Sequence, residues 1–196
     1  MSVAVVLVSA GKGTRLGQAV PKAAVSIAGK TMLEISLIHI SEFDPDQLVV
    51  VAPAGLVAEF ERLTSKFFSE FTVVAGGETR QQSVAAGMAK VTTDFVLVHD
   101  AARAFTPKEV FDRVNEGLAL ADCVVPAINL ADTVKQVSEN WVEKTIDRKT
   151  LRLIQTPQGF RVSTLVDGLA KTKSDFTDEA GLLEALGVPT SIVQGH

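Results

Sequence analysis

This chain of 196 residues has little with which to hold a soft metal or cross-link itself: one cysteine and three histidines. A lone thiol, Cys123, cannot close an intrachain disulfide, and it gives no sign of an oxidising compartment. It lies in the apolar run Cys123-Val124-Val125, which suits a buried structural thiol better than a nucleophile. His99 has no second histidine or cysteine to complete a metal site with it, so a packed or positioning role is expected. Long apolar runs are missing as well. Val3 to Val8 is too short for a membrane span and has no basic residue before it, so it reads as a strand rather than a targeting segment. Nor is there a basic excess. The net charge of −4 argues against a broad nucleic-acid surface while leaving room for a small basic pocket. The expectation is a cytoplasmic protein with neither membrane nor nucleic acid among its partners.

The remaining composition is that of a soluble globular protein, with 46% hydrophobic and 21% charged residues. The length predicts one domain over residues 1–196, large enough to bury about 70% of its unfolded surface. Apolar β-branched runs alternate with helical patterns from end to end. Val3–Val8, Gln47–Val51, Phe71–Val74, Phe95–Val98 and Cys123–Pro126 are short and mostly continuous, as strands covered on both faces are. Helices are predicted over Met32–Ile40, Val57–Phe67, Arg80–Lys90 and Pro107–Leu118. Thr31-Met32-Leu33-Glu34 is a capping-box pattern, and Thr106-Pro107-Lys108-Glu109 adds a proline at the first helical position. The alternation implies an α/β fold with a doubly wound, mostly parallel sheet.

After Leu130 the alternation stops. Thr133–Val137 and Trp141–Ile146 flank the polar turn Ser138-Glu139-Asn140, a hairpin pattern with little apolar material of its own. From pattern alone, a surface hairpin on the same domain is favoured over an arm packed on another subunit. Helices over Ser163–Lys171 and Asp178–Leu186 follow, the second closed by Gly187, and Thr190–Val193 reads as a last strand.

The densest chemistry follows the first strand, in Ser9-Ala10-Gly11-Lys12-Gly13-Thr14-Arg15-Leu16-Gly17 and then Pro21-Lys22. Small residues let a backbone approach a phosphate chain closely, and strand ends are where α/β sheets gather ligands. The Walker spacing is absent. Gly11, Gly13 and Gly17 give G-x-G-x-x-x-G rather than the dinucleotide fingerprint, and the acid in place to hold a ribose, Glu34, reads as a helix cap. A nicotinamide-dependent dehydrogenase is therefore a poor fit. A triphosphate loop carrying its own cations, Arg15 and Lys22, fits better, and a plain glycine turn is the bland alternative.

The segment Ala10–Leu16 with Pro21-Lys22 resembles the signature of sugar-nucleotide pyrophosphorylases and related nucleotidyltransferases. Further landmarks narrow it: Gly76-Gly77-Glu78-Thr79-Arg80-Gln81-Gln82-Ser83-Val84, Val98-His99-Asp100-Ala101-Ala102-Arg103, Asp132-Thr133-Val134-Lys135, Asp147-Arg148, Gln155-Thr156-Pro157-Gln158 and Thr177-Asp178-Glu179. In this order they resemble 2-C-methyl-D-erythritol 4-phosphate cytidylyltransferases of the non-mevalonate isoprenoid pathway. The resemblance implies a Rossmann-like fold of the nucleotide-diphospho-sugar transferase kind, with a projecting β-arm at about 132–149. It implies attack of a small phosphorylated polyol on the α-phosphorus of CTP. Arg15, Lys22 and Arg148 are its implied catalytic residues. Ser9, Ala10, Gly11, Gly13, Thr14, Gly76, Gly77, Glu78, Arg80, Ser83, Asp100 and Ala101 are the implied nucleotide-binding set. Asp100, Arg103, Thr133, Arg148, Thr156 and Thr177 are implied for the acceptor. Mg²⁺ is the implied cofactor, held mostly by the CTP phosphates with Asp100 as the protein contact. The arm implies a homodimer in which each site borrows Arg148 from its neighbour.

Three departures from the family pattern stand out. Ser9 replaces a usual alanine, Ala104 a usual proline, and the chain ends at His196 where the family continues into a lysine-bearing segment and a terminal helix. That lysine also holds the acceptor phosphate in the family, so a chain without it is expected to bind acceptor weakly. Ribitol-phosphate cytidylyltransferases share nearly every landmark and stand as the alternative acceptor class. A non-catalytic nucleotide-binding protein is the remote third reading.

Overall fold

The computed structural model describes residues 1–11, 23, 25–172 and 176–196. The first half of the chain forms β1 (Val3–Val8), the short β2 (Ser26–Ile27) and β3 (Lys30–Thr31), α1 (Met32–Phe43), β4 (Gln47–Ala52) and α2 (Val57–Thr64). Next come β5 (Thr72–Ala75), α3 (Arg80–Met88), β6 (Phe95–Asp100), α4 (Lys108–Gly117) and β7 (Cys123–Ile128). The hairpin strands β8 (Val134–Ser138) and β9 (Trp141–Ile146) lead to a single 3-10 turn at Arg148–Thr150. The chain closes with β10 (Leu153–Ile154), β11 (Gln158–Arg161), α5 (Val162–Lys171), α6 (Glu179–Ala185) and β12 (Ser191–Gln194).

Strands β5, β4, β1 and β6 lie side by side, all parallel, in that order. Every residue of β1 is buried, as a continuous apolar run requires of a strand covered on both faces. Residues Val3, Val5 and Leu7 pack with Leu33, Leu37, Phe60 and Phe111 of α1, α2 and α4. Ala4, Val6 and Val8 face the other way, onto Val84, Met88, Leu165 and Leu182 of α3, α5 and α6. This is the doubly wound, mostly parallel arrangement read from the sequence. From β1 the chain moves outward through β4 to β5, then returns to lay β6 on the opposite side of β1. The reversal opens a crevice beyond the carboxyl ends of β1 and β6, the usual ligand position in such sheets.

Some boundaries differ from the sequence reading. Strand β11 is antiparallel between β6 and β7, and β10 pairs antiparallel with β7. Neither was expected, since the four residues of β11 contain one large apolar side chain, the fully buried Phe160. Pro107 is the N-cap of α4 and Lys108 its first residue; the Thr106 hydroxyl donates to the Arg103 carbonyl at 2.9 Å instead of capping. Helix α2 stops at Thr64, beyond which the Lys66 and Phe67 N–H groups tighten to i→i+3 bonds, Phe67 N–H reaching the Thr64 carbonyl at 3.0 Å. The box at Thr31 forms as expected, with Glu34 also paired to Lys66 at 2.8 Å. Those contacts, the lysine first and then the Thr31 N–H, hold the Glu34 carboxyl at about 2. Gly187 closes α6 at φ +81°, and its N–H and that of Val188 satisfy the carbonyls of Glu184 and Leu183.

Strands β8 and β9 form a separate two-stranded sheet, with a register shift at Gln136/Val137. Val137 is 59%, Trp141 78% and Val142 60% exposed, so none of the described residues covers these apolar side chains.

Candidate active site

Three backbone bonds continue the ladders past the strand ends. The N–H of Ala101 donates to the Val8 carbonyl at 3.0 Å, Ser9 N–H to Val51 at 2.9 Å and Gly76 N–H to Ala52 at 2.8 Å. They bring the loops after β1, β5 and β6 into one row at the crevice. Glycine is needed at 76 for close approach: a Cβ there would lie 2.4 Å from the Ala10 Cβ and 2.8 Å from the Ser83 Oγ. The loops after β1 and β5 can touch at this point only because neither presents a side chain larger than a methyl.

The turn that follows is built from its own residues. Thr79 and Gln82 form a second reciprocal capping box, and the Gln82 Oε1 also accepts the Glu78 N–H at 2.8 Å. The T-x-x-Q spacing of this box is present in the sequence at Thr79-Arg80-Gln81-Gln82. Ser83 is buried, its hydroxyl donating to the Thr79 carbonyl at 2.9 Å and accepting the Gly77 N–H at 3.2 Å. It therefore braces the Gly76-Gly77 turn from below.

Arg80, the first residue of α3, joins two acids. Its Nη1 donates to both oxygens of Glu179 at 2.7 and 2.8 Å, and its Nε donates to Asp100 Oδ1 at 3.2 Å. Nη2 lies 3.2 Å from the same Oδ1. Among the described residues none bonds Asp100 Oδ2. The Glu179 side chain is 3% exposed, against 28% for Arg80 and 30% for Asp100. Burial raises the Glu179 carboxyl above the usual range, and Arg80 opposes that rise. Burial works against the Arg80 charge too, but the Glu179 and Asp100 carboxylates outweigh it, and the guanidinium holds its proton more tightly than usual. Asp178 caps α6 by accepting the Gly181 N–H at 2.9 Å, and Gln158 grips the same helix start through Asp178 and the Ala180 N–H.

The backbone of Asp100 is held from behind. Its N–H donates to Thr156 Oγ1 at 3.2 Å, and that hydroxyl lies 2.9 Å from Nδ1 of His99. His99 is fully buried with its ring edge-on to Phe111, and burial lowers its pKa to about 4. The neutral ring can accept the Thr156 hydroxyl proton at Nδ1, which leaves the Thr156 oxygen to receive the Asp100 N–H. On the other side the Ser36 hydroxyl donates to the Ala101 carbonyl at 3.2 Å. The imidazole is a positioning group, consistent with its sequence context. The Cys123 thiol is buried and pushed up to about 11, an inert group.

Of the expected site residues, Ser9, Ala10, Gly11, Gly76, Gly77, Glu78, Arg80, Ser83, Asp100 and Ala101 belong to these converging loops or the turns beneath them. Arg103 and Thr177 are exposed, one just after β6 and the other just before α6, while Thr156 is buried with its hydroxyl engaged. Arg103 borders a cleft of about 250 Å³ with Phe105, Gln155 and His196. Thr133 and Arg148 stand at the base of the hairpin, where the Arg148 guanidinium donates to the Ala131 carbonyl. Gly13, Thr14, Arg15 and Lys22 lie outside the described residues. Gln158 and Glu179 stand in two of the landmark segments but not in the expected site set; the contacts that give them roles are long-range.

The donor set fits a magnesium ion. Asp100 offers one carboxylate oxygen at the crevice, and no cluster of three His, Cys, Asp or Glu is found among the described residues. Mg²⁺ is commonly held this way, by one or two carboxylates together with substrate phosphates.

The switch-point crevice, the glycine-lined loops and the acid ending β6 define an α/β protein of the nucleotidyltransferase class. Comparison narrows the class. The family profile of 2-C-methyl-D-erythritol 4-phosphate cytidylyltransferase matches residues 3–196. A protein of that name from Saccharopolyspora erythraea is 43% identical over 207 residues, covering 100% of this chain and 91% of the relative. Another, from Streptomyces coelicolor, is 40% identical over 211 residues, covering 98% and 77%. The crystal structure of 2-C-methyl-D-erythritol 4-phosphate cytidylyltransferase from Thermus thermophilus superposes with a TM-score of 0.81 at 30% identity, covering 100% of this chain and 90% of that one. In fold alone, the 4-diphosphocytidyl-2C-methyl-D-erythritol synthase of Anaerococcus prevotii is similar at a TM-score of 0.88, with 24% identity and coverage of 100% and 89%. The chain belongs to the 2-C-methyl-D-erythritol 4-phosphate cytidylyltransferase family. No helix among the described residues is long and apolar enough to cross a membrane.

Proposed function

We propose that this chain transfers the CMP unit of CTP to 2-C-methyl-D-erythritol 4-phosphate and releases pyrophosphate. The observation that carries it is the meeting of Ala10, Gly76 and Asp100 at the switch point of a chain matching the family from residue 3 to 196.

An oxygen of the acceptor phosphate attacks the α-phosphorus of CTP. As that P–O bond forms, the bond from the α-phosphorus to the bridging β-phosphate oxygen breaks, and its electron pair leaves with pyrophosphate. The nucleophile is already an anion, so no general base and no side-chain nucleophile are needed. The obstacle is repulsion between like charges, which fixed cations and backbone N–H groups relieve. In this reading Arg15 and Lys22 flank the α-phosphate, and the N–H groups of Ala10, Gly11, Gly13 and Thr14 bind the phosphate chain. Asp100, together with the phosphate oxygens of CTP, would hold Mg²⁺, which would supply charge neutralisation on the triphosphate. The Gly76-Gly77 turn reads the cytosine edge, with Ser83 setting the direction of the Gly77 N–H, and Glu78, Asp100 and Ala101 border the ribose. Arg103, Thr177, Thr133 and Arg148 serve the acceptor, and Thr156 acts by fixing Asp100.

The reading includes a cytoplasmic homodimer. Its support is the hairpin, whose Val137, Trp141 and Val142 are exposed. In a two-fold pair each subunit gives one arm and receives one, which brings Arg148 to the partner's site. Pyrophosphate release with CTP, UTP, ATP or GTP, each with methylerythritol phosphate or ribitol 5-phosphate, tests the proposal. CTP with methylerythritol phosphate is expected to dominate; equal turnover of CTP and ATP, or a preference for ribitol phosphate, would refute it.

A further inference from the structure

We propose that Glu179 is a positioning residue for nucleotide binding: it holds Arg80 so that Asp100 is engaged through one oxygen and keeps the other free. The inference rests on the reading of the crevice as the CTP site.

An arginine beside a carboxylate favours two parallel bonds, one to each oxygen. Here Arg80 does otherwise. Its Nε donates to Asp100 Oδ1 at 3.2 Å, Nη2 lies 3.2 Å from the same oxygen without a hydrogen bond, and Oδ2 has no partner among the described residues. The cause lies at the far end of the guanidinium. Nη1 is fixed between both oxygens of Glu179 at 2.7 and 2.8 Å, so the plane cannot rotate into the paired geometry with Asp100.

Glu179 cannot follow a rotating arginine. The start of α6 is locked by the Asp178 cap, and Gln158 bonds Asp178 Oδ2 at 2.7 Å while accepting the Ala180 N–H at 3.2 Å. Arg80 itself emerges from the Thr79–Gln82 capping box, the turn that also carries Gly76 and Gly77. The ion pair therefore ties three segments of the crevice together: the β5–α3 turn, the end of β6 and the start of α6. A buried carboxylate is a poor way to gain stability, because its desolvation offsets most of the attraction to its partner. It is a good way to fix a direction. With the Glu179 charge removed, Arg80 is free to take both Asp100 oxygens and to compete with the nucleotide for Oδ2.

The test is Glu179→Gln, which keeps side-chain size and removes the charge. CTP affinity by calorimetry and KM for CTP should both weaken about ten- to a hundredfold, the range for losing one charge-assisted contact. A merely structural role would lower Tm and the active fraction without moving KM for CTP. In an Asp100→Asn background there is no carboxylate to capture, so adding Glu179→Gln should cost less than about twofold more. Arg80→Lys, altered at the more exposed end, guards against a Glu179 variant that fails to fold, and should weaken CTP by the same range. Unchanged CTP affinity in a folded variant, or equal losses with and without Asp100, would overturn the positioning role alone. If the unaltered chain neither binds CTP nor releases pyrophosphate, the functional reading fails and the proposal with it.

Discussion

Replacing Gly76 with alanine places a methyl carbon 2.4 Å from the Ala10 Cβ, 2.8 Å from the Ser83 Oγ and 3.3 Å from Val51 Cγ1. Carbon atoms in contact settle about 3.5–4.0 Å apart, so the loop after β1 and the β5–α3 turn must separate by roughly 1 Å. Overpacking of this kind costs about 1–3 kcal/mol of stability, which a chain with both sheet faces covered should survive. The functional loss should be larger. A misplacement of about 1 Å at a site that works by positioning costs about 10²-fold, here in kcat/KM for CTP. Gly55→Ala is the control, because nothing lies within 4 Å of its Cβ position. Denaturant unfolding and CTP-dependent pyrophosphate release, measured on both variants, separate the two effects. A Gly76→Ala enzyme with normal kcat/KM would show that the contact of the two loops does not shape the nucleotide site.

Other expectations follow from the same geometry. His99 stays neutral in the folded state down to about 4, against 6.5 when exposed, so the unfolded chain binds more protons between those values and stability falls as pH drops through that window. The loss should approach about 3 kcal/mol, and a folded His99→Gln variant should lack this component of the acid slope in pH-dependent unfolding; an unchanged slope would refute the assignment. Arg15→Ala and Lys22→Ala should each slow turnover by about 10²–10³-fold in steady-state assays with little change in Tm, and near-normal turnover would remove that residue from the site. Mixing Arg148→Ala chains with Lys22→Ala chains should restore activity through hybrid dimers with one intact site; subunit exchange without recovery would show that Arg148 acts within its own chain.

The sheet was legible because β1, β4 and β6 are continuous apolar runs, and burial on both faces leaves such a run little choice. The box at Thr31 and the stop at Gly187 were legible because both are local, set by side chains within three residues or by one backbone angle. Strands β10 and β11 were not, since β11 is held by β6 and β7 on either side and β10 by β7, rather than by their own pattern. The crevice was legible as a set of motifs but not as an arrangement. Nothing near Ser83 or Thr156 in the sequence says that their hydroxyls turn inward to hold the N–H groups of Gly77 and Asp100. The pairing of Arg80 with Glu179 spans 99 residues and no local pattern encodes it.

Phosphorus NMR of the product of CTP, Mg²⁺ and methylerythritol phosphate tests the central claim most directly. Direct attack predicts two mutually coupled diphosphate resonances, one phosphorus from CTP and one from the acceptor, appearing with one pyrophosphate per product. If the acceptor is labelled with ¹⁸O in its phosphate, the label should be found in the new diphosphate. Release of pyrophosphate without the acceptor, or a product lacking the acceptor's phosphorus, would contradict the account.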